Sequence, residues 1–421
     1  MANTTDSQST GFTSNERRIL LLCGWGHFYA HFYMLAYPSL AMWIQRDLGM
    51  SFGDTVALGF WMYLLYGLTA LPFGWLATRI DSHRLLAGSI FATGAFAVAA
   101  GFANSTTSLT LALAGIGIGA AVYHPVGMAL ISRCCRYRGM ALGRNGVWGS
   151  TSLAGAPLFA GAAAELIGWR GALWLSGGLA ILLGAWLWYR PFDESTVAAK
   201  TTTTPRAGTL TAFAIMLGCM TMLGFCYRST TVVLPAWFRL RVDDLGQLFA
   251  AGGSDNTAFA AAMLVGISYC CGIAGQLTGG KLADRFDLRF AYLGVHCAAL
   301  PCLVLLSALY GIPVVIAAAA YLFFSLGMQP IENALVATLT PERYRSLAYG
   351  AKFILVMGGG SLAVELVRHL EGRESLESLF PILMGLLALV IFGAFAIIFV
   401  TRNRRAPELN TAPADRVVSQ S

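Results

Sequence analysis

Apolar residues run along the chain in long blocks, and polar positions interrupt them at short intervals. A helix needs about 20 mostly apolar residues to cross a bilayer, and twelve blocks reach that length. They lie near 18–45, 54–79, 84–103, 107–133, 139–166, 169–190, 209–238, 257–283, 288–309, 312–339, 346–369 and 378–401. The connections between them are short, which leaves little chain for a soluble domain. A helix satisfies its own backbone hydrogen bonds in lipid, so the pattern predicts an all-α polytopic membrane protein with twelve transmembrane helices.

Composition agrees. The chain is 57% hydrophobic and 12% charged, with a mean hydropathy of +0.64, whereas soluble domains carry roughly 25% charged residues. The net charge of +7 would suit nucleic acid only if it formed one basic surface, and it does not. Arg17, Arg18, Arg79, Arg84, Arg133, Arg136, Arg138, Lys281, Arg285, Arg289, Arg343, Arg345, Arg402, Arg404 and Arg405 all fall on one side of the predicted membrane. The other side holds only Arg46, Arg170, Arg239, Arg241, Arg368 and Arg373. That asymmetry predicts cytoplasmic termini and a lipid rather than a nucleic-acid partner. Residues 1–16 lack the charged start and short apolar core of a cleaved signal peptide. The nine cysteines show no CxxC spacing, and Cys270, Cys271, Cys297 and Cys302 read as small core residues.

The chain also repeats itself. GWLATRIDSHR at 74–84 and GKLADRFDLR at 280–289 share Gly-x-Leu-Ala-x-Arg-x-Asp at an offset of 206 residues. RYRGMALG at 136–143 and RYRSLAYG at 343–350 match at 207, and Pro125 and Pro330 at 205. The repeat divides the chain into a tail (1–17), a six-helix bundle (18–191), a polar linker (192–208), a second six-helix bundle (209–401) and a second tail (402–421).

Two parallel six-helix repeats resemble the major facilitator superfamily. The repeated loop, with Gly74, Arg79 and Asp81 in the first copy and Gly280, Asp284 and Arg285 in the second, resembles that family's signature Gly-x-x-x-Asp-Arg-x-Gly-x-Arg-Arg. The first copy departs from it, with Thr78 where the acid belongs, which would weaken any latch the acid makes. GVWGSTSLAGAPLFAG at 146–161 loosely resembles the family's antiporter motif. HFYAHFYMLAYPSL, HPVGMALISR and the pair Tyr227 and Arg228 before VVLPAW look like the fosmidomycin-resistance branch of proton-driven drug exporters. The resemblance implies a monomeric transporter of the bacterial inner (plasma) membrane, without cofactor or catalytic residues, whose halves alternate around a central cavity.

Within the apolar blocks a few polar residues stand out. Helices 1 and 7 align on Pro38 and Pro235 at an offset of 197, with Asp-Leu-Gly tripeptides at 47–49 and 244–246, and this pairs His31 with Arg228. His124 pairs with Gln329, and Asn145 with Lys352, beside Arg144. On helix 10, Gln329, Glu332 and Asn333 share a face; on helix 7, Gly224, Tyr227, Arg228 and Thr231 do. A charge near the bilayer centre costs roughly 2.5–3.5 kcal/mol, so such residues point to function. The expected substrate site therefore comprises His31, Arg228, Arg144, Lys352, Tyr123, His124, Gln329, Asn333, Trp148 and Tyr227, with Glu332, His31 and His27 for proton coupling. Each has a structural alternative: Arg144 and Lys352 could snorkel, Glu332 could serve as a structural partner to a base, and the histidines could pack helices. Tyr29, Tyr33 and Tyr37 fall about 200° from the histidine stripe and read as packing.

Arginine's planar fork suits carboxylate, phosphate or phosphonate, which points to a small organic anion or anionic amphiphile. The alternative is a divalent metal carrier using His27, His31, His124 and Glu332 as ligands, opposed by three nearby cations. A zinc hydrolase would need Glu directly after the first histidine of His-x-x-x-His; Phe28 stands there. A receptor would be expected to carry a signalling domain, for which the twelve helices leave no room.

Overall fold

Thr13 opens the first helix with a reciprocal cap. Its hydroxyl accepts from the Glu16 amide, and the Glu16 carboxylate accepts from the Thr13 amide, satisfying two donors the helix itself cannot. Helix α1 then runs over Ser14–Leu48, through Pro38, and stops where Gly49 turns left-handed at φ 64°. The computed structural model describes residues 12–136, 138–194, 209–242, 257–340, 345–373 and 375–402. Residues 1–11 and 403–421 of the expected tails, linker residues 195–208, the tripeptide Asp244–Gly246, Arg343, Arg404 and Arg405 lie outside them.

Helix α2 spans Phe52–Leu76 and loosens at 58–59 and 69. Helix α3 covers Ser82–Gly101, and α4 covers Thr106–Cys134 with a break at 121–122, just before Pro125. The run Arg138–Trp188 is two crossings, α5 (138–167) and α6 (169–188), separated by the non-helical Gly168 at φ 75° and ψ 165°. The second half holds α7 (Thr209–Arg241), α8 (Thr257–Arg285), α9 (Leu288–Ala308), α10 (Ile312–Leu339), α11 (345–373) and α12 (Leu379–Val400). The described residues contain no strand. Eleven apolar runs are long enough to span a membrane, and the Gly168 bend makes twelve crossings of them. The expected helix pattern holds, although α1 begins four residues before position 18.

Small residues bring helices into contact inside each half. A Cβ at Gly279 of α8 would sit 1.8 Å from the Gly327 carbonyl oxygen of α10. The first half repeats this, with Gly117 of α4 against the Met62 carbonyl of α2 at 2.1 Å. Leu166, Leu182, Phe392 and Phe399 project outward and are more than half exposed, as lipid-facing residues must. Cys270, Cys271 and Cys297 are exposed on this same surface, which corrects their reading as core residues. Their helix faces turn away from the bundle, whereas Cys23, Cys134, Cys135, Cys219 and Cys226 are buried.

The two halves meet mainly at mid-depth and at the end opposite the termini. There Arg368 of α11 donates to Asp54 of α2 at 2.7 Å, and the Gly53 amide donates to Glu371. The same end also carries ties within each half, among them Arg170 with Asp47, and Arg241 with Glu377 at 2.8 Å. At the end bearing the termini, Glu16 accepts from the Arg136 amide, and Arg133 pairs with Glu194 at 3.6 Å. In the loop between α8 and α9, Asp287 pairs with Arg289 at 2.6 Å, and Arg289 donates to the Thr401 carbonyl at 2.8 Å.

Candidate functional site

Three histidines converge in the first half. One helical turn separates His27 from His31 on α1, and His124 of α4 faces both; their ring nitrogens lie within 4.8 Å of one another. The His27 Nδ1–H donates to the Asn145 carbonyl at 2.9 Å, and the Tyr123 ring stacks on His27 at 4.6 Å. The Asn145 amide donates in turn to the Tyr123 hydroxyl. Gly149 makes room for this, since a Cβ there would stand 2.5 Å from the His27 ring. Both nitrogens of His124 are buried without a hydrogen-bond partner. From the other half, Phe353 stacks on His124 at 4.4 Å. The tyrosine stripe Tyr29, Tyr33 and Tyr37 is buried in packing, so the histidine stripe is the one turned toward the second half.

Arg228 approaches the same level from α7. Its side chain is buried at 3% exposure. The guanidinium lies 3.9 Å over the Tyr63 ring of α2 and donates to the Met34 carbonyl of α1 at 3.4 Å. One cation of the second half is thus held entirely by groups of the first, through cation–π contact and a backbone dipole. Among the described residues no carboxylate comes within ion-pair distance of it. Tyr227 turns the other way, toward Thr231 and Tyr269.

Lys352 and Glu332 form a buried pair between α11 and α10, at 2.6 Å. Lys352 also donates to Asn333 at 2.6 Å, while Glu332 Oε2 has no partner. Immediately after Lys352 and Phe353, α11 widens into a π-turn over Ile354–Gly358, a distortion often found at functional positions. There α2 comes so close that a Cβ at Gly67 would stand 2.4 Å from the Gly358 nitrogen. Gln329 accepts from Gln276 of α8 at 3.0 Å, and Gln276 accepts from Ser150 of α5. This chain of three polar side chains crosses from one half to the other.

Two expected site residues sit toward the terminus-bearing end. Arg144 is exposed near the terminus-bearing end, 4.8 Å over the Phe12 ring. Trp148 packs on Trp25 at 4.7 Å. Both line an opening with Arg17, Leu21 and Asn145, the residue that His27 bonds. Nor does Glu332 join the histidines: the metal-type cluster among the described residues contains His27, His31 and His124 alone, with Glu332 committed to Lys352. Of the three cations set against a metal, Lys352 is paired with Glu332 and Arg144 is exposed. In the signature loops Arg79 stacks on Trp75 at 4.2 Å and Asp81 pairs with Arg84 at 3.6 Å, both within the first half. Asp284 and Arg285 are exposed and enter no ion pair among the described residues.

Tyr63, Ser150, Gln276 and Phe353 were not expected at the site. Tyr63 and Tyr66 stand three residues apart in an apolar helix, and Gln276 is a lone amide in α8. Those were the available signals. Phe353 had none, being one phenylalanine among 25.

A family model described as Major Facilitator Superfamily matches residues 21–364. The chain belongs to the major facilitator superfamily. It is therefore a multi-pass membrane transporter and not an enzyme. A curated relative, the "Probable L-galactonate transporter" of Escherichia coli (strain K12), is 26% identical over 254 residues, covering 57% of this chain and 55% of that protein. The chain thus matches about half the length of that relative. Among solved structures, a bacterial homolog of the human lysosomal transporter Spinster, inward-facing and occupied, superposes with a TM-score of 0.72. It is 16% identical and covers 96% of this chain and 100% of that one. The nucleoside transporter NupG gives a TM-score of 0.67 at 13% identity, covering 90% of this chain and 99% of that one. At such identities the likeness is one of fold. The matches give the superfamily and do not extend to the fosmidomycin-resistance branch.

Proposed function

We propose that this superfamily member is a proton-coupled secondary transporter of a small organic anion, working as a monomer by alternating access, with both termini in the cytoplasm of a bacterial inner membrane. The observation that carries the reading is Arg228: a buried guanidinium at the junction of the halves with no carboxylate within ion-pair distance among the described residues. A substrate carboxylate would supply the missing counter-charge in the bidentate geometry arginine favours. The named substrate of the curated relative, L-galactonate, is an anion of this chemical class.

The Lys352–Glu332 pair suits the coupling role. A proton on Glu332 would release Lys352 to a second anionic oxygen of the substrate, so that proton and anion bind together. Gln329 and Asn333, on the same face of α10, would then orient hydroxyl groups. This coupling carries proton and anion in one direction. Export driven by proton exchange, which the sequence resemblance implies, requires them to move oppositely.

Proteoliposomes enclosing a pH-sensitive dye test both points. Adding an aldonate outside should acidify the lumen if the two travel together and alkalinise it if they exchange. Arg228→Ala should abolish either signal in protein that still reconstitutes. Transport at normal affinity by that variant would remove Arg228 from the site and the anion reading with it.

A further inference from the structure

The proposed transport cycle uses Arg228, Lys352 and Glu332 and leaves the three histidines without a task. They are not ordinary packing residues. His124 carries two buried nitrogens without hydrogen-bond partners among the described residues, and burying such a group unsatisfied is costly. A fold that keeps that cost beside two further imidazoles keeps three ring nitrogens within 4.8 Å of one another.

We propose that His27, His31 and His124 form a binding site for a single divalent transition metal of the zinc class. Four features support it. All three donors are imidazole nitrogens within 4.8 Å of one another. Tetrahedral ligands at about 2.0–2.1 Å from zinc lie about 3.4 Å apart, so ring movements on the order of 1 Å would close the set, and His27 and His31 are only half-buried. Asn145 holds the His27 Nδ1 through its carbonyl at 2.9 Å and its side-chain nitrogen at 3.2 Å, so Nε2 is the nitrogen left to act as ligand. That outer bond is the usual support of a metal-bound histidine. The set is nitrogen-only, with no thiolate or carboxylate in it, which suits zinc, nickel, copper or cobalt and not calcium or magnesium. The charge objection is reduced because Lys352 is paired with Glu332 at 2.6 Å; Arg228 remains, and a chloride or hydroxide as fourth ligand would offset it.

The site also bears on movement. His27 and His31 belong to α1 and His124 to α4, while Phe353 of the other half stacks on His124. A bound ion would draw the three rings together and shift the His124 face on which Phe353 rests, one residue from Lys352. Zinc should therefore inhibit transport. This last consequence alone rests on the function proposed above; binding itself does not.

The test is a titration of the purified full chain in detergent with Co²⁺, read by visible absorption. The expected result is one Co²⁺ per chain with the strong bands of a four-coordinate site, displaced by Zn²⁺. Binding should weaken at least tenfold in His124→Gln and in His31→Gln, and persist in Glu332→Gln. Should one histidine variant not survive purification, the other and the wild-type spectrum still decide. A weak six-coordinate spectrum, no saturation, or binding indifferent to both histidine variants would overturn the site. So would a sulfur-to-cobalt band in the near ultraviolet, which would move the metal to the cysteines. If cobalt binds as expected but zinc leaves dye-monitored transport unchanged, the inhibition is wrong and the site stands.

Discussion

Arg228 shows how one side chain can belong to both halves of a molecule. It extends from α7 across the interface to Tyr63 and Met34, so its charge is stabilised by a ring face and a carbonyl dipole, neither of which neutralises it. Arg228→Lys should therefore be no substitute. A lysine keeps the charge and loses the planar fork, and KM for the anion should rise at least tenfold when initial rates are compared over a range of aldonate concentrations. Glu332→Gln should behave differently. The amide mimics the protonated acid, so counterflow of anion against anion should continue while accumulation driven by a pH gradient is lost. Unchanged accumulation would shift coupling to another group. Sequence alone singled out Arg228, His31, Glu332 and Lys352, because a charge or imidazole in an apolar block has no inexpensive explanation. The exposure of Arg144 was not readable in the same way: depth counted along a helix says nothing of whether water reaches that depth from an open end.

At the level of elements, α11 is the least regular helix of the described chain. Its π-turn at Ile354–Gly358 follows directly on Lys352 and Phe353 and rests against α2 at Gly67. A methyl group at Gly67 would stand 2.4 Å from the Gly358 nitrogen, a backbone atom that cannot rotate away. Gly67→Ala should cost about 1–3 kcal/mol in the arrangement seen here, while leaving either half able to fold. A bifunctional thiol reagent spanning Asp54→Cys and Arg368→Cys should then cross-link more slowly in the Gly67→Ala background than without it. Helix positions and the two-fold repeat could be read from the pattern of apolar blocks. The π-turn could not, because nothing in its own residues marks it, whereas the break at 121–122 follows from Pro125, which cannot donate to the residue-121 carbonyl.

For the whole molecule, contact between halves is densest at mid-depth and at the end away from the termini, and Asp54 and Arg368 link the halves there. Joining these positions with the same reagent should arrest transport in proteoliposomes, whereas the single cysteine variants treated alike should remain active. Transport through the cross-linked protein would mean that this end does not open. The ties at that end differ in kind. Arg241, within the second half, is 7% exposed, whereas Asp54 and Arg368, which join the halves, are 46% and 54% exposed. Exposed pairs contribute little, about 0–1 kcal/mol, and dissolved ions weaken them first. The resting orientation of the protein is thus open to adjustment by the medium bathing that face: raising ionic strength there loosens the join between the halves before it disturbs either half.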